Sequence, residues 1–229
     1  MWSIAVVIVA AGLILLGWWR SGQTFRDFLL LRASLAYARI WHRWTGPRPA
    51  HWPGDGPCLV IANHTCSADP AFLLAASTRG ISFLVAAEHY DVHPAIRLIL
   101  DHLDCVRVRR DGRDWLAIRR ALRRLENGLA VCLFPEGNLS GVPSGRLLRA
   151  KQGIAYLALK TRVPVYPAYI AGGPRTEELL NSWVLPTRRA VRVTFGAAID
   201  LSEYRDRRIT RSLIAEVTEH LMQAVEALG

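Results

Sequence analysis

Short apolar runs alternate with stretches of helical period along most of the chain. Strand-like runs fall at Cys58–Ala62, Ile81–Ala86, Cys105–Val108, Ala130–Phe134, Val163–Ile170 and Val191–Phe195. Helical patterns lie between them, near Pro70–Ser77, Pro94–Leu100, Asp114–Asn127 and Leu147–Thr161, with a last one near Thr210–Leu228. The best marked is Asp114–Asn127, where Trp115, Ile118, Leu122 and Leu125 make one stripe and Asn127-Gly128 stops it. Its other face carries Arg119, Arg120, Arg123 and Arg124, which suits either a solvated surface or one resting on anionic lipid. Alternation of this kind predicts an α/β fold with a mixed, mostly parallel sheet flanked by helices. No internal repeat or low-complexity tract interrupts it.

The first 45 residues follow another rule. Met1 to Trp19 contains no charged side chain, and Arg20 closes it. As a helix, this stretch is about 28 Å long, close to the roughly 30 Å of a bilayer core. Trp2 and Trp18-Trp19 sit at its two ends, where interfacial aromatics belong. A cleaved leader would need a basic start and a small-residue cleavage site, and neither is present. Arg20, Arg26 and Arg32 follow the segment, which would keep the bulk of the chain cytoplasmic, on the inner membrane of a bacterium. Gln23 to Thr45 then reads as an amphipathic helix. Leu29, Ala33, Tyr37, Ile40 and Trp44 share a stripe flanked by Leu30 and Trp41, with Arg32, Arg39 and Arg43 across from it. Such a stripe fits a membrane interface or the surface of a domain. The expected organisation is a membrane anchor and amphipathic interfacial helix over residues 1–45, a Pro/Gly linker over 46–57 ("GPRPAHWPGDGP"), and the main α/β domain over 58–229.

Composition adds three constraints. The net charge is +10, and only Lys151 and Lys160 are lysines, so arginine carries nearly all of it. That fits the base composition of a GC-rich genome, or a preference for phosphates and anionic headgroups. No nucleic-acid recognition motif accompanies the charge, which favours a lipid over a nucleic acid as the anionic partner. Cys58, Cys66, Cys105 and Cys132 are scattered without a CxxC pair or zinc spacing, as free thiols in a reducing compartment would be.

The chemistry concentrates in "CLVIANHTCSADPAFLL", residues 58 to 74. His64 follows an apolar strand, and a histidine on a strand-end loop is suited to take a proton from a hydroxyl near neutral pH. Asp69 has two readings. It is either the carboxylate that fixes the imidazole tautomer, or merely the N-cap of a helix opening at Pro70. Three further blocks follow: "LDCVRVRRDG" at 103–112, "LFPEGNLSG" at 133–141, and "AKQGIAYLALKTRVPVYPAYI" at 150–170.

The order and spacing of these four blocks resemble the glycerolipid acyltransferase family, lysophosphatidic acid acyltransferase type. The N-H-x-x-x-x-D block is matched at Asn63, His64 and Asp69, and the arginine closing the second block at Arg110. The F-P-E-G block is matched at Phe134, Pro135, Glu136 and Gly137, followed by Ser140, and the V-P-V-x-P strand at Val163, Pro164, Val165 and Pro167. Lys151 and Gly153 match the lysine-x-glycine before that strand. The resemblance implies that His64 is the general base, Asp69 its partner, and the second and third blocks the binding site of a phosphorylated acceptor. The implied substrate contacts are Asn63, Arg107, Arg110, Glu136, Gly137 and Lys151. The implied reaction transfers a fatty acyl group from acyl-CoA or acyl carrier protein to a lysophospholipid hydroxyl, with neither cofactor nor metal. Two departures stand out: Asp104 stands where the second block opens with a glycine, and Asn138-Leu139 occupies the place of a threonine-arginine pair. They open the acceptor class to other lysolipids, such as a lyso-aminolipid. The alternative from another class is a non-catalytic protein that binds anionic lipid through its arginines. Two rival sites are weaker. Cys66 has no neighbours that mark a nucleophile, and His89 and His93 are separated in geometry by Pro94.

Overall fold

The computed structural model describes residues 2–46, 55–109, 115–137, 150–174, 176, 178–187 and 190–229, with the backbone alone for 2–11 and 179–180. Eight helices and six strands are formed among them, in the order α1 (Trp2–Ser21), α2 (Phe25–His42), β1 (Cys58–Ala62), α3 (Asp69–Ala76), β2 (Ser82–Ala86), α4 (Pro94–His102), β3 (Val106–Val108), α5 (Trp115–Glu126), β4 (Ala130–Leu133), α6 (Gly153–Thr161), β5 (Val165–Ala171), α7 (Leu179–Val184), β6 (Arg192–Phe195) and α8 (Arg211–Glu226). Most of the expected 46–57 linker, and Arg110 with the Asn138-Leu139 departure, lie outside the described residues.

The strands form one sheet in the order β3-β2-β4-β1-β5-β6, parallel throughout except for β6, which runs antiparallel to β5. The central strands are apolar at every position because both faces are covered. On β1, Cys58, Val60 and Ala62 point into a core shared with α2 and α3, while Leu59 and Ile61 point into one shared with α5, α6 and α8. β4 splits in the same way, Ala130 and Cys132 to the first core, Val131 and Leu133 to the second.

The sequence reading of the second helix chose the right element and missed the face that packs. Thr24 caps α2 by accepting from the Asp27 amide, and Arg43 ends it in the left-handed region at φ 51°. Its core face is Phe28, Leu31, Ser34, Leu35, Ala38 and His42, set against α3. The stripe read from the sequence is largely outside, with Leu29 and Ile40 exposed. The backbone also ties α2 to the sheet, since the Val191 amide donates to the His42 carbonyl (3.0 Å) and the Thr45 amide to the Val191 carbonyl (3.4 Å). α2 is therefore part of the folded core. Among the described residues, no helix is long and apolar enough to cross a membrane.

A truncation series should separate the two N-terminal helices. Removing residues 1–20 should leave the thermal unfolding of the rest cooperative. Removing residues 1–43 strips Phe28, Leu31 and Leu35 from the core, each worth about 1.5–3 kcal/mol. Calorimetry or circular dichroism should then show a collapsed or lost transition for the second truncation only.

Candidate active site

Parallel strands deliver their C-terminal ends to one edge of the sheet, where loops carry the reactive groups of such folds. β1 and β4 are neighbours, with Ile61 opposite Leu133. The turns that follow them therefore emerge about 4.8 Å apart. One carries Asn63-His64, the other Phe134-Pro135-Glu136.

Asp69 is the first residue of α3 and is fully buried. The N-cap is Ala68, which makes no side-chain cap bond, so the capping role considered for Asp69 is not the one it takes. Its carboxylate turns back into the loop instead. Oδ2 accepts from His64 Nδ1 (2.9 Å), the Thr65 amide (2.5 Å) and the Cys66 amide (3.0 Å). Oδ1 accepts from Thr65 Oγ1 (3.0 Å) and Cys66 Sγ (3.4 Å). A buried carboxylate needs such donors to offset its lost hydration. With Nδ1–H committed to Asp69, the neutral imidazole carries its basic lone pair on Nε2.

Three other contacts hold the ring and its loop. Phe134 stacks on His64 with centroids 4.1 Å apart and planes 17° from parallel. The His64 amide donates to Glu136 Oε1 at 3.0 Å. Glu136 is itself buried, so the glutamate expected at the acceptor reaches the backbone of the histidine. The loop after β5 closes from the other side: a methyl group on Gly173 would lie 3.1 Å from Thr65 Oγ1 and 3.8 Å from Asp69 Oδ1. Thr65, Phe134 and Gly173 were not singled out as site residues by sequence reasoning. Their signals were present but faint, a hydroxyl beside the histidine, an aromatic closing a strand, and a Gly-Gly pair after another.

The remaining expected residues divide. Asn63 is buried, and both ends of its amide are bonded to Ile170: Nδ2 donates to the carbonyl (3.0 Å) and Oδ1 accepts from the amide (2.7 Å). It prolongs the β1–β5 ladder by one side-chain rung. Lys151 joins the site, its amide donating to the Pro135 carbonyl (2.7 Å) and its chain lying over Gly137, where a Cβ would meet Lys151 Cε at 2.3 Å. Gly137 has φ +66°, so glycine is required there on both counts. Arg107 stands apart on edge strand β3, over the Tyr90 ring (4.4 Å) and 3.3 Å from Asp91. Cys66 is a poor nucleophile, because burial, and after it the charge of Asp69, push its thiol pKa well up. The histidines and acids near residue 90 are dispersed, with His93 capping α4, His102 bonded to Asp27, and Asp104 to Arg124.

A family model described as Acyltransferase matches residues 45–171, more than half of the chain. The chain belongs to the acyltransferase family. All four sequence blocks lie within or touch that span. Among acyltransferases, the chain is 31% identical over 121 residues to a probable 1-acyl-sn-glycerol-3-phosphate acyltransferase of Mycoplasma pneumoniae, covering 50% of this chain and 44% of that protein. It is likewise 31% identical over 121 residues to a chloroplastic 1-acyl-sn-glycerol-3-phosphate acyltransferase of Brassica napus, covering 52% and 34%. The alignments thus span less than half the length of these curated relatives. The crystal structure of the 1-acyl-sn-glycerophosphate (LPA) acyltransferase PlsC from Thermotoga maritima has the same fold, with a TM-score of 0.63 at 24% identity over 99% of this chain and 92% of that one.

The donor set around Asp69 predicts an unequal pair of variants. In Asp69→Asn, the new amide can keep its oxygen toward the three N–H groups and turn its NH₂ toward Thr65 Oγ1 and Cys66 Sγ, both able to accept. Asp69→Asn should therefore unfold close to the parent temperature. Asp69→Ala strands buried amides, at about 1–3 kcal/mol for each unsatisfied donor, and should melt clearly lower in a side-by-side thermal scan.

Proposed function

We propose that the chain is a membrane-bound O-acyltransferase that moves a fatty acyl group from a thioester donor, acyl-CoA or acyl carrier protein, to the hydroxyl of a lysophospholipid, lysophosphatidic acid being the first candidate. The observation that carries this reading is the 2.9 Å bond from His64 Nδ1 to the buried Asp69 carboxylate, at the sheet edge where such folds do chemistry. The relatives named for 1-acyl-sn-glycerol-3-phosphate support the choice of acceptor. The exposed apolar residues of the first helix pair (Leu13 to Leu16, Trp19, Phe25, Leu29 and Ile40) support attachment to a bilayer.

In this mechanism His64 Nε2 removes the acceptor's hydroxyl proton as the oxygen attacks the thioester carbonyl. Asp69 balances the imidazolium that forms and holds its tautomer. The tetrahedral intermediate collapses with departure of the thiolate, which takes the proton back from His64. No metal or covalent acyl-enzyme is needed, because a thiolate leaves readily. Lys151, whose side chain lies over the Gly137 turn, is assigned to the acceptor phosphate. Arg110 is assigned the same task on the sequence resemblance alone.

Purified protein in vesicles, given acyl-CoA and a series of lysolipids differing in headgroup, tests the reading. His64→Ala should lower the turnover number by roughly 10²–10⁴-fold, the usual worth of a positioned general base. Asp69→Asn, folded but uncharged, should also be severely impaired, and Cys66→Ala nearly as active as the parent. Arg110→Ala should raise KM for a phosphorylated acceptor more than for the donor. Full activity in Asp69→Asn contradicts the dyad, and absence of transfer to every lysolipid contradicts the enzyme reading.

A further inference from the structure

The short helix α7 was not anticipated from the sequence, and its surroundings are unusual. A helix end normally leaves its last carbonyls to water. Here they are covered by aromatic donors from α2. Tyr37 Oη donates to the carbonyls of Ser182 (3.4 Å) and Trp183 (3.1 Å), and Trp41 Nε1 to that of Val184 (2.7 Å). The Tyr37 and Trp183 rings also pack, with centroids 5.4 Å apart. Meanwhile the side chains at this end stay bare, with Trp183 38%, Val184 52% and Leu185 53% exposed. Carbonyls satisfied by side chains beneath uncovered apolar groups suit a segment that leaves water.

The neighbouring surface continues the pattern. At 100° per residue, Phe25, Leu29, Ala33, Ala36 and Ile40 of α2 fall within an arc of about 80°. That arc is centred about 150° from the core face of the same helix. Tyr37 and Trp41 lie about 40° and 80° beyond that arc and lead onto α7. Scattered exposed apolar residues are ordinary, but a joined patch with tryptophan at its margin is not.

We propose that the exposed end of α7 is a further membrane contact, entering the same lipid monolayer as the outer stripe of α2 and steadying the catalytic turn from there. This inference rests on the membrane reading above. A bilayer is the occupant for three reasons. The patch is continuous with the apolar outer face of the first helix pair, it is edged by tryptophans, and Arg32 and Arg39 flank it in a chain of net charge +10. The link to the turn is Ser182, which is fully buried and hydrogen-bonded through its hydroxyl to that of Ser67. Ser67 lies between His64 and Asp69. Lipid contact at Trp183–Leu185 is thereby one hydrogen bond removed from the loop that holds the base.

The test uses the full chain with Val184→Cys, labelled with an environment-sensitive fluorophore, and Glu219→Cys on the outer face of α8 as the control. The four native thiols are all buried and remain slow to label. On vesicles of phosphatidylcholine and phosphatidylglycerol, the label at 184 should shift to the blue and the label at 219 should not. Co-sedimentation with vesicles and no shift at 184 overturns the α7 contact and leaves the membrane reading intact. Failure to co-sediment overturns both. A shift without vesicles that grows with protein concentration marks a contact between copies of the chain, and overturns the lipid assignment. As the functional arm, the double variant Val184→Asp, Leu185→Asp should lose about tenfold in transfer to an acceptor embedded in vesicles, with transfer to a dispersed short-chain acceptor unchanged. Equal losses in both assays, or none in either, contradict the inference.

Discussion

A single buried carboxylate organises the reactive edge of this protein. Asp69 is inaccessible to water, yet it opens a helix with a polar carboxyl group, so its hydration must be replaced by the protein. The replacement is local: two amides, a hydroxyl and a thiol, all from Thr65 and Cys66, together with the imidazole of His64. Satisfying the carboxyl group therefore coils the turn and orients the ring in one operation. The imidazole and the two amides share Oδ2, while the Cys66 thiol, at 3.4 Å, is the weakest of the donors. The Pro70 that follows has no amide to offer, and it fixes the helix start so that the carboxylate faces back toward the strand.

Around that centre the fold supplies rigidity from several directions. The Asn63 side chain fastens the end of β1 to β5 as the strand gives way to the loop. Phe134 and Glu136, arriving from β4, grip the His64 ring and backbone respectively. Gly173, from beyond β5, allows the last loop to close against Thr65. Adjacent strands β4, β1 and β5 thus all contribute contacts, and a parallel sheet is what brings their ends to the same side. The proposed proton abstraction would benefit from this construction, because a base displaced by even an ångström loses much of its effectiveness.

The sheet was legible in the sequence because its central strands β1 and β4 are buried on two faces and read as uninterrupted apolar runs, with shorter apolar runs marking the others. β1 begins and ends where its pattern does, and β2 to β6 fall within a residue or two of theirs. The face of α2 was not legible, since Phe28, Leu31 and Leu35 share the core side with Ser34, Ala38 and His42, while Leu29 and Ile40 outside give an equally apolar stripe. α7 escaped because six residues without a cap are too few to show a period. At the site, His64 and Asp69 stood out through chemistry and spacing. The tasks of Asn63 and Glu136 did not, because whether a polar side chain faces a substrate or a backbone depends on tertiary neighbours that spacing does not encode.

The central claim is that Asp69 holds His64 in the tautomer protonated at Nδ1, with Nε2 as the basic nitrogen. Nitrogen-15 NMR of the imidazole side chains, with His64 assigned by its loss in His64→Ala, reads this directly. The account predicts a protonated, pyrrole-type Nδ1 and a pyridine-type Nε2 for neutral His64. The opposite pattern, or rapid averaging of the two tautomers as in free imidazole, would contradict it.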